Sequence, residues 1–398
     1  MADPRFALSP DIIDLQQDTR RFAIEKLRPR AAALEWEPNP LDRVAWDLVE
    51  EASTHGWRTM GLPRRDGGGE ASVLALCVLA EELAYGDMGF AVMLDQTLKV
   101  QRIIARLAGA ELRERFLRGF LNDPRAVLAI CFTEPETGSD YIIPKPDFHF
   151  QTRAERASDG SWILNGYKHF ISNGADAAYY LVFASTDWTK RADRGTSAFL
   201  LEPGHPGFEV ETIHEKISQR CINNAALRFS NVTVEPWRMV GPEHRGYAGS
   251  REILRESAIE AGATTLGTAR AAYELAVERA RTRVQGGAAL IDHANVACRI
   301  AQMYSQLEAA RSLVWRAAWA VEHDPDYDYR LGSAAKTVAA DVAVEVCLSA
   351  LEIFGGLGVM MREAAVEKCL RDCLSFLHSD GAQDSHRIRI AQMIRDTD

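Results

Sequence analysis

Seven cysteines in 398 residues are too few, and odd in number, for a disulfide framework; most stand in apolar stretches, as reduced, buried thiols of a cytoplasmic protein would. Cys369 and Cys373 are one helical turn apart, but no second pair completes a tetrahedron, so no metal site is expected. Long apolar runs are absent as well. The longest, residues 71–80, stops at Glu81-Glu82, far short of a membrane span. The opening stretch MADPRFALSPDIID lacks the basic start and apolar centre of a secretory leader. Basic charge is in deficit: 46 Lys and Arg face 56 Asp and Glu, for a net charge of −10, and only 8 of the basic residues are Lys. The arginines are scattered, which excludes a sequence-independent grip on nucleic-acid phosphates. The motifs G-x-G-x-x-G, G-x-S-x-G and H-E-x-x-H are missing, and no Lys follows a Gly, so no P-loop exists. A Rossmann site, a serine hydrolase, a zincin and an NTPase thereby lose their usual support.

What is present is an ordinary globular balance, 47% hydrophobic and 26% charged, in a chain long enough for two or three domains. Its patterning changes twice. Residues 9–122 read as helices, with Ser9-Pro10 at a helix start, Pro29 as an end or kink of the first helical run, and Asp123-Pro124 as a break. From 126 to about 236, short β-prone runs such as AVLAICF, SWILNGYKHFIS and NAALRFSNVTV alternate with turn residues. Beyond Gly241-Pro242 the chain is helical again. Val296, Ile300, Met303, Leu307, Ala310, Val314, Ala317 and Val321 form one packing stripe, and Val338, Val342, Val346, Ala350 and Ile353 a second. An earlier helix is crowded with Ala and Gly between 261 and 272, which permits close approach of axes. The expected fold is α+β and multidomain: an N-terminal helical domain (1–124), a central β-sandwich or barrel (125–241) and a C-terminal four-helix bundle (242–398).

Three segments carry chemistry. CFTEPETGSD (131–140) is a strand opening into a Gly-containing turn that presents hydroxyls and free N–H groups, an edge suited to a flat heterocycle with an acceptor rim. WILNGYKHFISNG (162–174) reads as strand–turn–strand ending in an Asn-Gly turn. FGGLGVMMREAAVEKCLRD (354–372) is a Gly-rich helix end followed by a charged helix. In this order and layout the segments resemble the acyl-CoA dehydrogenase family, whose members read T-E-P-x-A-G-S-D, L-N-G-x-K-x-W-I-T-N-G and GG-x-G-x-x-x-E-x-P-V-E-K-x-x-R-D; the resemblance spans residues 9 to 395.

That resemblance implies FAD as cofactor and an acyl-CoA as substrate, with α,β-dehydrogenation as the reaction. It implies cofactor contacts along the first motif at Phe132, Thr133, Gly138 and Ser139, with Thr133 at the flavin pyrimidine edge. Phe170 and Ser172 stand where relatives carry Trp and Thr beside the isoalloxazine ring. Arg283, Glu352, Gly355 and Gly356, with Gly358, are implied to complete the cofactor site of a neighbouring subunit, while Ala382 and Asp384 contact the cofactor near the catalytic loop. A homotetramer, or a mixed oligomer, is implied as well, with electron-transfer flavoprotein as acceptor.

The base of the family is a Glu in a Y-E-G-T loop. Aligning the Gly of HSDGAQD puts Asp380 at that place, with Gly381 and Arg387 as substrate contacts. A carboxylate in a dry pocket is expected to have a raised pKa. The alternative base position on the long helix is Ser257, a substrate contact here, and the next, where relatives have a substrate-contacting Arg, is Ala258; Arg255 lies one turn earlier. Asp95 is a second acid–base candidate at the acyl end of the pocket, and Ser139 a further substrate contact. His378, Asp384 and His386 flank Asp380 without implying a metal. Two rival readings stand beside the dehydrogenase: a flavin oxidase of a small carbon acid, similar to nitroalkane oxidase, and a non-catalytic FAD-binding subunit of a hetero-oligomer.

Overall fold

The structure, a computed structural model, describes residues 8–143 and 148–396. Residues 1–7, the first half of the opening stretch compared with a leader, lie outside them. Six helices come first: α1 (Pro10–Phe22), α2 (Arg28–Leu34), α3 (Trp46–Thr54), α4 (Val73–Gly86), α5 (Met88–Leu107) and α6 (Ala110–Asn122). Pro10 occupies the first turn of α1, where its missing N–H is no loss. Pro29 does not end the helical run. A π-turn at Ala23–Leu27 precedes it, and α2 resumes with Pro29 in its own first turn. Helix α4 is buried on nearly every face and is therefore central to the molecule. Ser72 and Asp87 cap α4 and α5 by accepting from Ala75 N and Phe90 N at 3.1 and 2.8 Å.

Seven strands come next: β1 (Leu128–Cys131), β2 (Arg153–Arg156), β3 (Trp162–Ser172), β4 (Tyr179–Ser185), β5 (Thr196–Leu201), β6 (Phe208–Ile213) and β7 (Asn224–Val234), with a single turn of helix, α7 (Ala192–Gly195), before β5. They form one curled sheet. β4 holds β1 in parallel and β5 antiparallel, β3 holds β2 and β7, and β6 edges β7. Arg153 opposite Ser185 joins the two halves. Strand periodicity feeds two cores: Tyr180, Val182 and Ala184 point into the curl, while Leu181 and Phe183 meet Phe116, Phe120 and Phe150 on the side of the N-terminal helices.

The chain then runs through α8 (Gly246–Thr282), a short hairpin of β8 (Val284–Gln285) and β9 (Ala288–Ala289), α9 (Ala294–His323), α10 (Arg330–Phe354), α11 (Val366–Ser375) and α12 (Gln383–Arg395). The stripe on α9 is buried from Ile300 to Ala317. On α10 the expected stripe holds at Val346, Ala350 and Ile353, which are buried, but not at Val338, which is 38% exposed; Ala335, Ala339, Ala343 and Cys347 face the core as well. Close packing selects the alanines. A Cβ on Gly262 would lie 3.2 Å from Ala335 O, and one on Gly267 would lie 2.0 Å from Glu81 O. Helix α4 thus shares the core of the C-terminal helices. Among the described residues, residues 330–359, spanning α10 and the 3-10 turn after it, have the length and apolar composition of a membrane span, but α10 carries the buried Lys336 and packs its alanines inward.

Candidate active site

A cavity of about 720 Å³ opens between the sheet, α5, the start of α8 and the loop before α12. β1 delivers the first wall. Glu134 and Thr137 exchange backbone hydrogen bonds of 2.9 and 3.1 Å, folding CFTEPETGSD into a tight turn. The turn is pinned from beneath by Lys168, which donates to Glu134 Oε1 at 2.8 Å and Phe132 O at 3.2 Å. Burial alone would raise Glu134, yet Lys168 and the Thr152 N–H hold it below the usual carboxylate value. Phe132, Thr133, Gly138 and Ser139 all line the cavity.

The second wall is a bulge in β3, which runs as one strand from Trp162 to Ser172 where strand–turn–strand was expected. Pairing with β7 slips between Lys168 and Ile171, and Phe170 adopts φ +57°, which turns its ring outward so that it is 56% exposed. Phe170 and Ser172 border the cavity, and the His169 N–H donates to Thr133 O at 2.9 Å, tying the two motifs together.

The third wall carries Asp380. Its backbone lies in the left-handed region, φ +49°, a conformation that Asp tolerates better than most residues. Gly381 at φ +90° is obligatory, because a Cβ there would meet Ile142 Cδ1 at 1.8 Å. The loop is held by Lys336, whose ammonium donates to Phe376 O, Gly381 O and Gln383 Oε1 at 2.7–2.8 Å. Burial lowers that ammonium to about 8. His386 reaches Asp380 O at 2.9 Å, and burial brings its imidazole down to about 4, so it is neutral. The Ala382 N–H donates to Ser139 Oγ at 2.9 Å, linking the first motif to this loop.

The Asp380 carboxylate accepts from Lys99 at 2.9 Å and from Ser257 at 3.2 Å. The expectation of a raised pKa is corrected here. Burial alone would raise it, but the ammonium of Lys99, the charge of Lys336 and the Ser257 hydroxyl bring Asp380 below the ordinary value. Asp95 behaves oppositely. It does not line the cavity but sits behind Lys99 at 3.5 Å, where burial, Glu260 and Asp380 push its carboxyl well above the ordinary value against the pull of Lys99. Environment therefore separates the two carboxyls: Asp380 is held toward its ionised form and Asp95 is pushed toward its protonated one.

Several expected residues lie elsewhere. Asp384 and Arg387 pair with each other at 3.0 Å on the outer face of α12, because Gln383 and His386 occupy its inner face. Arg283 lies in the exposed approach to the β8–β9 hairpin, and Glu352 faces Arg299 at 3.7 Å on the surface. Gly355 and Gly356 have open space where a Cβ would be, whereas a Cβ on Gly358 would lie 2.7 Å from Leu351 O, so that glycine serves packing. Ala258 is buried and offers no cation; Arg255 instead stacks over Tyr329 at 4.3 Å. Sequence reasoning passed over Lys99, Lys216 and Lys336. Lys216 lines the cavity, and burial lowers it to about 7. A signal existed: lysine is rare in this chain, and Lys99, Lys168 and Lys336 are all buried.

Comparison with known proteins gives a consistent outcome. The models of the acyl-CoA dehydrogenase N-terminal, middle and C-terminal domains match residues 9–123, 129–232 and 244–394. The chain is 33% identical over 353 residues to a cyclohex-1-ene-1-carbonyl-CoA dehydrogenase of Geobacter metallireducens, covering 89% of this chain and 90% of that protein. The solved butyryl-CoA dehydrogenase of Megasphaera elsdenii superimposes with a TM-score of 0.88 at 30% identity, covering 98% of this chain and 99% of that one. The structure of PigA with FAD and proline gives the same TM-score at 25% identity, over 98% of this chain and 99% of its own.

Proposed function

The chain belongs to the acyl-CoA dehydrogenase family, and from that premise we propose that it removes the α-proton of an acyl-CoA thioester with Asp380 in an α,β-dehydrogenation. It is an oxidoreductase of the flavoprotein type, with FAD as cofactor. The cavity fits that group on its own features. Phe170 offers an exposed ring, His214 Nε2 is buried without a partner, and the space beside Gly138 is open. Thr133, Ser139, Phe170 and Ser172 would hold it, and Arg283, Glu352, Gly355 and Gly356 would serve a second copy in a homotetramer. Bound FAD supplies the acceptor for the β-hydride.

The observation that carries the reading is an ionised carboxylate, Asp380, on the wall of the cavity that Phe170 and Ser172 border. Lys99 and Ser257 both bond Asp380 Oδ1, which fixes the carboxylate's orientation and leaves Oδ2 for the proton. The Asp380 N–H, in a strained turn, is the chain's own donor toward the thioester oxygen as charge develops there. Lys99 and Gln96 make the α5 side of the cavity polar, which supports a short or alicyclic acyl group over a long straight chain. Electron-transfer flavoprotein as acceptor and a cytoplasmic location complete the proposal.

Anaerobic stopped-flow spectroscopy of the flavin band, with a panel of acyl-CoA thioesters, tests it. Asp380→Asn keeps FAD and loses at least about 100-fold in the rate of flavin reduction. An unchanged rate removes Asp380 as base. A wild-type protein that no thioester reduces removes the dehydrogenase reading.

A further inference from the structure

Most polar side chains that α5 buries are satisfied within the protein. Thr97 donates to Met93 O at 3.0 Å and accepts from Leu128 N at 3.1 Å, and Gln101 donates to Arg58 O at 2.8 Å. Lys99 donates to Asp380 at 2.9 Å, with Asp95 against it at 3.5 Å. Gln96 differs. It is only 6% exposed, yet its carboxamide makes no hydrogen bond among the described residues. It lines the main cavity, so the amide is open to a ligand there. Buried amides are normally paired, and one left open on a cavity wall suits a ligand atom that can accept from its N–H or donate to its oxygen.

Placement says which part of a ligand that is. Lys99, three residues on, bonds Asp380, and Met93, three residues back, accepts from Asn173 Nδ2 at 3.2 Å, next to Ser172. Each step is about 4.5 Å along the helix axis. Gln96 therefore stands between the carboxylate on one wall and the strand of Phe170 and Ser172 on the other. An acyl group held between those walls by its α- and β-carbons runs along Gln96 with the atoms that follow. Charge narrows the class. A ligand cation would meet the ammonium of Lys99, and a carboxylate would meet Asp380, whose counter-charge is already engaged. A neutral oxygen meets neither repulsion. We propose that Gln96 selects an acyl thioester that carries a neutral oxygen, as a hydroxyl or ether, one or two bonds beyond the β-carbon. The inference rests on the thioester reading of the cavity and names the class of acyl group. When the acyl group enters and excludes solvent from the amide, an oxygen restores the lost hydrogen bond and a methylene leaves the amide unpaired. A site built this way rejects the apolar analogue more strongly than an apolar pocket rejects a hydroxyl.

Isosteric pairs of thioesters test it. 4-Hydroxybutyryl-CoA matches pentanoyl-CoA in heavy atoms, and oxane-3-carbonyl-CoA matches cyclohexanecarbonyl-CoA. Anaerobic stopped-flow of the FAD-loaded protein gives kcat/KM for flavin reduction. In the wild type the oxygen-bearing member of at least one pair is favoured at least about tenfold. In Gln96→Met, which keeps an unbranched side chain, that preference disappears because the apolar member gains. No preference, or a reversed one, in both pairs of the wild type overturns the inference, and this comparison needs no variant to fold. A preference that survives in Gln96→Met overturns it as well, as does succinyl-CoA outpacing 4-hydroxybutyryl-CoA, which would make the partner a carboxylate. Reduction of both members of each pair at equal rates leaves the dehydrogenase reading standing without the inference. If no thioester reduces the flavin, that reading falls, and calorimetric titration with the same pairs still shows whether Gln96 favours the oxygen.

Discussion

Two groups of cations flank Asp380, and they are built on opposite terms. Toward α5, Lys99 is enclosed with Asp380 and Asp95, and beyond them Glu260 and Glu256 face Arg102. Nearby, the Lys168–Glu134 pair is likewise complete and shut off from solvent. Toward α12, Arg251, Arg255 and Arg389 converge without one carboxylate partner among the described residues. A buried charge with its counter-charge in place holds structure and sets protonation. Cations gathered without one disfavour each other's charge. Removing a cation therefore has consequences of different size on the two sides.

The largest effect falls on the complete pairs. Lys168→Met leaves Glu134 buried and accepting only from backbone N–H groups, a loss of about 3–5 kcal/mol for breaking one partner of a buried pair. Thermal and urea unfolding of the FAD-loaded protein measure it. Lys168→Met/Glu134→Gln recovers most of the loss, because the uncompensated charge goes with its partner. A loss under about 1 kcal/mol in the single variant would make the pair an ornament.

Lys99→Met acts next, on pH as well as on stability, since it too leaves a buried carboxylate without its chief counter-charge. Asp380 must be ionised to take a proton, and its lowered pKa keeps it so throughout the neutral and mildly acid range. The rate of flavin reduction in the wild type is accordingly flat from about pH 8 down to about pH 5, within the range set by the direction of the shift. Without Lys99 the burial that dominates the environment acts unopposed by its chief counter-charge, and the pKa rises. An acid limb then enters the measured range, with about a tenfold fall per pH unit below it. An identical profile in Lys99→Met would show that the ammonium does not govern Asp380.

These residues also mark what a sequence can disclose. CFTEPETGSD and the Gly after Asp380 were readable because each is a local device, a turn and a glycine step; the bulge that turns Phe170 outward was not, since it depends on pairing with β7. The three-block architecture was readable because periodicity switches from helix to strand and back. The sign of the Asp380 shift was not, since Lys99 lies 281 residues away in the chain and meets it only in the fold. On α10 the C-terminal half of the expected stripe, Val346, Ala350 and Ile353, is buried, whereas in the N-terminal half the close approach at Gly262 gives the core to Ala335 and Ala339 in place of Val338. Arg251 and Arg255 stand four residues apart on α8, and Arg389, more than 130 residues later, joins them in one cleft only through the packing of α12.

The smallest effect belongs to that cleft. Arg389→Gln in the ligand-free protein removes a cation whose charged form is disfavoured by burial and by two like charges, and it breaks no ion pair. The lost stem contacts and the relieved repulsion oppose each other, so stability stays within about 0.5 kcal/mol of the wild type. Salt separates the two contributions. Screening weakens repulsion between charges that water reaches, so raising the salt from about 0.01 to about 0.5 M, where the Debye length falls several-fold, stabilises the wild type more than Arg389→Gln. Urea unfolding at both salt concentrations measures the difference, and a non-binding counter-ion such as chloride keeps specific anion binding out of it. A loss of about 3 kcal/mol or more at low salt would mean that Arg389 is paired as Lys168 is, and the two sides of Asp380 would no longer differ in kind.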